Sequence, residues 1–258
     1  VRRDPQRRRW GVLIRRGLPI TGAVLFQTIS ANADYFVLGL VATKAVVGYY
    51  FFAFNQSTQI VQIFASNLMR VMIPSLSTLK DDPKRQVEAF LKGTRLLACA
   101  AAPLCVVQAA CAGPGLRLLY GERWLDAIPL LQILAAAATF GFISWPTISL
   151  LMAQGRYTTR MVLTGCAAGV FTVMVTIGSL VGREFGEPAL GAAIAVACYR
   201  VFMSPTQAYV ACRSAGVRWA TILHVFFMAA LGAGLTIGPA WWVGATLGEM
   251  AGGGGVGR

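Results

Sequence analysis

The chain has 258 residues, of which 56% are hydrophobic and only 13% charged. Its mean hydropathy of +0.62 lies well beyond a soluble domain, where roughly 45–50% of residues are apolar and about 25% charged. A water-soluble globular protein is therefore excluded. A net charge of +13, from 23 Lys and Arg against 10 acids, raises the question of a nucleic-acid partner. The cations sit at the ends of apolar segments without interleaved aromatics, so membrane topology explains them and nucleic acid is excluded as a partner.

No charged n-region, short apolar core and small-residue cleavage site marks a signal peptide, and the first residue is Val1 rather than Met, so the chain reads as a fragment of a longer one. Residues 1–16 carry Arg2, Arg3, Arg7, Arg8, Arg9, Arg15 and Arg16 and read as a basic cytoplasmic segment facing anionic headgroups. A first span is expected from Gly17 to about Val41, broken near its start by Pro19, with Gln27, Ser30 and Asp34 sharing one face.

The second span, 48–76, is expected to close at Pro74 and lead into a polar segment from Lys80 to Arg85. It is apolar, yet Asn55, Gln59, Gln62, Ser66 and Arg70 recur at steps of 4, 3, 4 and 4, which puts all five on one helix face. Polar side chains are costly in hydrocarbon, so this face should meet either protein, as a packed hydrogen-bonded seam, or the water of a cavity.

A third span follows over 87–112, with Lys92 and Arg95 in its first turns and Pro103 inside. Residues 113–128 read as the longest external loop, with Tyr120 and Trp124 suited to an interfacial belt. The fourth span runs over 129–153, kinked at Trp145-Pro146, and the fifth, sixth and seventh over 157–181, 189–213 and 219–247. The expected organisation is all-α: a six-helix lobe at 17–213, an additional helix within 214–247 and a Gly-rich disordered tail at 248–258. With residues 1–16 inside, sixteen basic residues, Arg160 among them, fall on the cytoplasmic side and five on the other, which supports that orientation.

Arg200 lies about twelve residues, ~18 Å, from either end of its span, too deep for easy snorkelling. Placing Arg there costs roughly 2.5–3.5 kcal/mol on the insertion scale. It needs an acid, a wet cavity or an anionic ligand, and Asp34 is the obvious partner. Asp34 is alternatively a proton or sodium site. Arg70 either snorkels to the cytoplasmic interface or points inward with its stripe.

Other motifs carry little. Cys99, Cys105, Cys111, Cys166, Cys198 and Cys212 read as small buried hydrophobes. His224 is the only histidine, so no metal site is expected. Gly165 with Gly169, and Gly234 with Gly238, form G-x-x-x-G patterns that let helices pack closely. Gly252 to Gly255 lacks the lysine and following helix of a phosphate loop.

The run ISANADYFVLGLVATKAVVGYYFFAFNQSTQI, the proline-ended LMRVMIPSLS and the segment LLYGERWLDAIPLLQIL resemble the second lobe of Wzx-type polysaccharide and lipopolysaccharide flippases, in the multidrug/oligosaccharidyl-lipid/polysaccharide exporter superfamily. Gln154-Gly155-Arg156 supports the likeness, which spans about residues 10–213. The resemblance implies two six-helix lobes facing a central cavity, with this chain supplying the second lobe and the first lobe absent.

It further implies a non-catalytic transporter in the inner membrane that moves undecaprenyl-diphosphate-linked oligosaccharide by alternating access. No cofactor is implied beyond a coupling proton or sodium ion. The implied partners are the lipid-linked oligosaccharide, membrane lipids, a polymerase and other glycan-assembly proteins. On depth and face, Arg200 and Arg70 are expected to hold the diphosphate and Gln27, Asn55, Gln59 and Gln62 the sugar hydroxyls. Asp34 is expected to couple or gate.

Three other classes remain. A drug/cation exporter favours an acidic, aromatic cavity, whereas the deep charges here are two Arg and one Asp. An enzyme acting on lipid-linked glycans needs catalytic acids in a sizeable loop, and residues 113–128 hold only Glu122 and Asp126. A non-catalytic scaffold for glycan assembly needs no cavity at all.

Overall fold

A computed structural model of the chain describes residues 5–141 and 144–252. The protein is an all-α polytopic membrane bundle. Its helices are α1 (Pro5–Val41), α2 (Lys44–Thr78), α3 (Pro83–Ala110), α4 (Ala112–Tyr120), α5 (Ile128–Gly141), α6 (Ser144–Ala153), α7 (Tyr157–Glu184), α8 (Pro188–Cys212) and α9 (Trp219–Gly252). Among the described residues, six segments are long and apolar enough to cross a membrane, and the two halves of α2, bent by 41° at a break between Gln59 and Gln62, make a seventh.

Several boundaries differ from the sequence expectation. Pro19 does not break the first span, since α1 runs unbroken through it from Pro5. Pro74 likewise lies inside α2. Asp82 caps the next helix by accepting from the Arg85 N–H at 3.1 Å, with Pro83 in the first turn where its missing N–H has no intrahelical partner. The expected kink at Trp145-Pro146 is replaced by Pro146 in the first turn of α6, while 142–143 fall outside the described residues. Of the expected tail, 253–258 also fall outside them.

Residues 113–128 are helical rather than a loop: α4 is followed by a 3-10 turn, Glu122–Ala127. Trp124 packs tilted against Phe52 of α2 and Tyr120 meets the same ring edge-on, with ring centroids 4.3 and 5.0 Å away. They clamp this segment to the bundle, with Tyr120 also exposed.

α5 and α8 form the centre. α8 packs between α7 and α5, α5 also meets α2 and α3, α1 lies along α7, and α9 along α3. The α7–α8 crossing is tight because glycines face each other. A Cβ on Gly178 would sit 2.6 Å from the Gly191 carbonyl oxygen, and one on Gly182 would sit 2.6 Å from that of Glu187. The expected pairs behave otherwise, since Gly169, Gly234 and Gly238 face open space and only Gly165 meets a neighbour, the Phe26 ring. The cysteines are also less buried than expected: Cys105 and Cys212 are buried, whereas Cys99, Cys166 and Cys198 lie on outer faces.

Three apolar clusters hold the bundle, the smallest around Leu97, Ala101, Cys105 and Ala138, and the other two are larger. One gathers Leu38, Tyr50, Leu134, Val175, Ala192 and Val196, and the other Leu76, Phe90, Leu150, Ala208, Cys212 and Ile222. The large side chains left exposed, such as Leu40, Phe202 and Leu235, form the outer apolar surface of a membrane span.

Candidate functional site

The face of α8 that looks into the bundle is read every fourth residue: Ala192, Val196, Arg200, Ser204, Ala208, Cys212. Its ends are buried in the two larger apolar clusters. Its middle is polar. There the structure opens a cavity of about 260 Å³ lined by Gln27 and Ser30 from α1, Phe54 from α2, Ser144 and Thr147 from α6, Arg160 and Thr164 from α7, and Arg200, Ser204 and Gln207 from α8. The cavity exists because α1 follows α7 and barely touches α2, so the first two helices diverge.

Arg200 is half-buried. Its Nη1 donates to the Leu134 carbonyl at 3.3 Å and its guanidinium lies over the Phe54 ring, 5.5 Å from the centroid. The expected Asp34 partner does not reach it. Among the described residues the only ion pair is Arg85 with Asp82. Asp34 is instead fully buried and accepts from the Tyr50 hydroxyl at 3.1 Å and from the Tyr35 N–H at 3.0 Å. Tyr50 stacks on Phe54 with centroids 6.0 Å apart. Two aromatic rings therefore separate carboxylate from guanidinium.

The structure thus brings Gln27 and Arg200 into one cavity and leaves the second-span stripe out of it. Asn55, Gln59, Gln62, Ser66 and Arg70 are all exposed on the outside of α2, and Phe54 takes the inward place beside Asn55. Asn55 donates to the Phe51 carbonyl at 2.8 Å and to the Tyr35 hydroxyl at 3.4 Å. The stripe is not a packed seam within the described residues. Arg70 is exposed and does not line the cavity that holds Arg200.

Sequence reasoning missed Arg160, which it counted among the cytoplasmic cations. Arg160 is 8% exposed, lines the cavity and keeps its Nε without a hydrogen-bond partner. The signal was available: Arg160, Thr164, Ala168 and Phe171 follow helical spacing on the inner face of α7. Ser144 and Ser204, joined by a 2.9 Å hydrogen bond, and Gln207 were also missed.

Comparison with known proteins gives this site its context. Residues 4–129 match the family of polysaccharide biosynthesis proteins. The resemblance to polysaccharide exporters holds. Teichuronic acid biosynthesis protein TuaB of Bacillus subtilis (strain 168) is 28% identical over 132 residues, 51% of this chain and 27% of the relative. An uncharacterized membrane protein in the cps region of Klebsiella pneumoniae is 30% identical over 132 residues, again 51% and 27%. Lipopolysaccharide biosynthesis protein WzxC of Escherichia coli (strain K12) is 22% identical over 173 residues, 67% of this chain and 35% of the relative. The chain thus spans only about a quarter to a third of the curated relatives it matches. No solved structure matches it. The chain is a multi-pass membrane protein similar to polysaccharide-biosynthesis proteins, and the matched segment covers α1 to α4 but not Arg160 or Arg200.

Proposed function

We propose that this chain is one lobe of a flippase that carries undecaprenyl-diphosphate-linked oligosaccharide from the inner to the outer leaflet of the cytoplasmic membrane by alternating access. The observation that carries the reading is Arg200, a guanidinium at mid-span without an acidic partner among the described residues, set in a cavity whose polar lining, Arg160 apart, is hydroxyls and amides. A cation kept at that depth calls for an anionic ligand. Hydroxyl and amide groups complement sugars, as the diphosphate complements Arg200.

The same lining argues against export of cationic drugs, since it contains two arginines and no acid. The exposed stripe on α2 is the second support. Five polar residues on a helix in hydrocarbon are costly, so this face belongs against a water-filled path or an opposite wall. Asn55, Gln59 and Gln62 would then meet the glycan, and Arg70 the diphosphate, along that path. Asp34, buried where α1 meets α2, is assigned the coupling or gating role, and residues 1–16 the cytoplasmic side.

The test is translocation of a fluorescent lipid-linked oligosaccharide in vesicles containing the protein in its natural assembly. Arg200→Gln is expected to cut the rate at least tenfold while thermal unfolding changes little. A wild-type rate in Arg200→Gln would remove the flippase reading of this cavity.

A further inference from the structure

Arg160 and Arg200 line the same cavity from different levels of α7 and α8. The α7–α8 register follows from two contacts: Gly178 opposes Gly191 and Ala195, and Phe171 meets Tyr199 with ring centroids 5.0 Å apart. In this antiparallel pair the level of Arg200 on α7 is near residue 170, so Arg160 lies about ten residues, ~15 Å, nearer the α6–α7 turn. Thr164 and the Ser144–Ser204 hydroxyl pair line the stretch between them.

Arg160 does not behave as a snorkelling interfacial cation. It is more than nine-tenths buried, its Nε has no partner, and no ion pair or side-chain hydrogen bond among the described residues engages its guanidinium. A forked donor held without an acceptor, facing a cavity, is pre-organised for a planar or tetrahedral oxyanion. We propose that Arg160 is a second anion-binding residue of the cavity: it takes a phosphoryl group at the mouth beside the α6–α7 turn, and Arg200 takes it ~15 Å deeper. The inference rests on the flippase reading for its ligand, a polyprenyl diphosphate. A charge-assisted hydrogen bond accounts for a roughly ten- to hundredfold change in affinity.

The protein in phosphatidylcholine nanodiscs is titrated with undecaprenyl diphosphate and, separately, with undecaprenol. Arg160→Gln is expected to weaken diphosphate binding about tenfold or more and leave undecaprenol binding unchanged. Full-strength diphosphate binding by Arg160→Gln, with loss in Arg200→Gln, overturns the role of Arg160 and leaves the flippase reading standing. Should Arg160→Gln misfold, the wild-type protein carries the test: phenylglyoxal modification of Arg160, read by peptide mass spectrometry, is expected to be suppressed by undecaprenyl diphosphate. Absence of protection overturns the proposal. Inorganic diphosphate is the remaining arm. Protection equal to that of the lipid keeps Arg160 as a phosphoryl site and removes the lipid-linked substrate of the proposed function.

Discussion

Tyr50 donates a hydrogen bond to Asp34 Oδ2 at 3.1 Å, and both side chains are fully buried. The bond ties α1 to α2, which otherwise touch little. A buried carboxylate depends on its donors, because losing one leaves an acceptor without compensation.

Tyr50→Phe removes that donor and nothing else of similar size. The expected loss is about 1.5–3 kcal/mol, the range for a hydrogen bond to a charged group. Asp34→Ala removes the acceptor and leaves the Tyr50 hydroxyl without its partner. Thermal unfolding in detergent of both single variants and the double variant completes a cycle, whose coupling term isolates the pair. Additive losses would mean that the bond contributes nothing to the junction.

The glycines give a prediction with opposite signs at sites of the same type. Gly178→Ala and Gly182→Ala would place a Cβ 2.6 Å from backbone oxygens, which the α7–α8 crossing absorbs only by separating; the expected destabilisation is about 1–3 kcal/mol each. Gly234→Ala and Gly238→Ala meet nothing within 4 Å and should be neutral or stabilising by up to roughly 1 kcal/mol, because Ala is the better helix former. Melting temperatures of the four variants decide it, and a common direction for all four would contradict the packing described.

These glycines also show where sequence reading stops. Spacing identifies G-x-x-x-G pairs but not which of them meets another backbone; that depends on the partner helix, and Gly191 on α8 is what makes Gly178 and Gly182 the tight pair. Span number and the depth of Arg200 were legible because hydropathy and helical rise fix them without neighbours. The inward turn of Phe54 beside the outward turn of Asn55 was not, since one polar stripe on an isolated helix has no information about which side the rest of the bundle occupies. Arg160 was hidden by the rule that explains most cations here: a position near a span's end reads as topology unless its helix face is considered as well.

Gln108 sits where α2 changes direction. Its Nε2 donates to the Gln56 carbonyl at 2.7 Å, the group that a regular helix would bond to the N–H four residues on, at the start of the bent region between Gln59 and Gln62. Gln108→Leu keeps the volume and removes the donor. Its expected cost is about 0.5–1.5 kcal/mol with a changed bend, read as an altered spin-label distance between the two ends of α2. An unchanged distance and unchanged stability would show that α2 bends without help from α3.

The exposed stripe on α2 makes the most direct statement about what lies next to this lobe. Single cysteines at Asn55, Gln59, Gln62, Ser66 and Arg70, in the protein within its natural membrane and on a background lacking the six native cysteines, are expected to react with a charged, membrane-impermeant thiol reagent. Ala53 and Ala65, 0% and 1% exposed on the same helix, should stay unreactive. Lipid on this face would prevent reaction, because a thiol in hydrocarbon neither ionises nor meets a charged reagent. Protein packed on it would prevent reaction as well, so labelling requires water along the stripe. A lined aqueous path would then extend from Asn55 to Arg70, about fifteen residues or ~22 Å of helix. Inert stripe positions would put lipid or protein directly against α2 and confine any ligand to the cavity lined by Arg160 and Arg200.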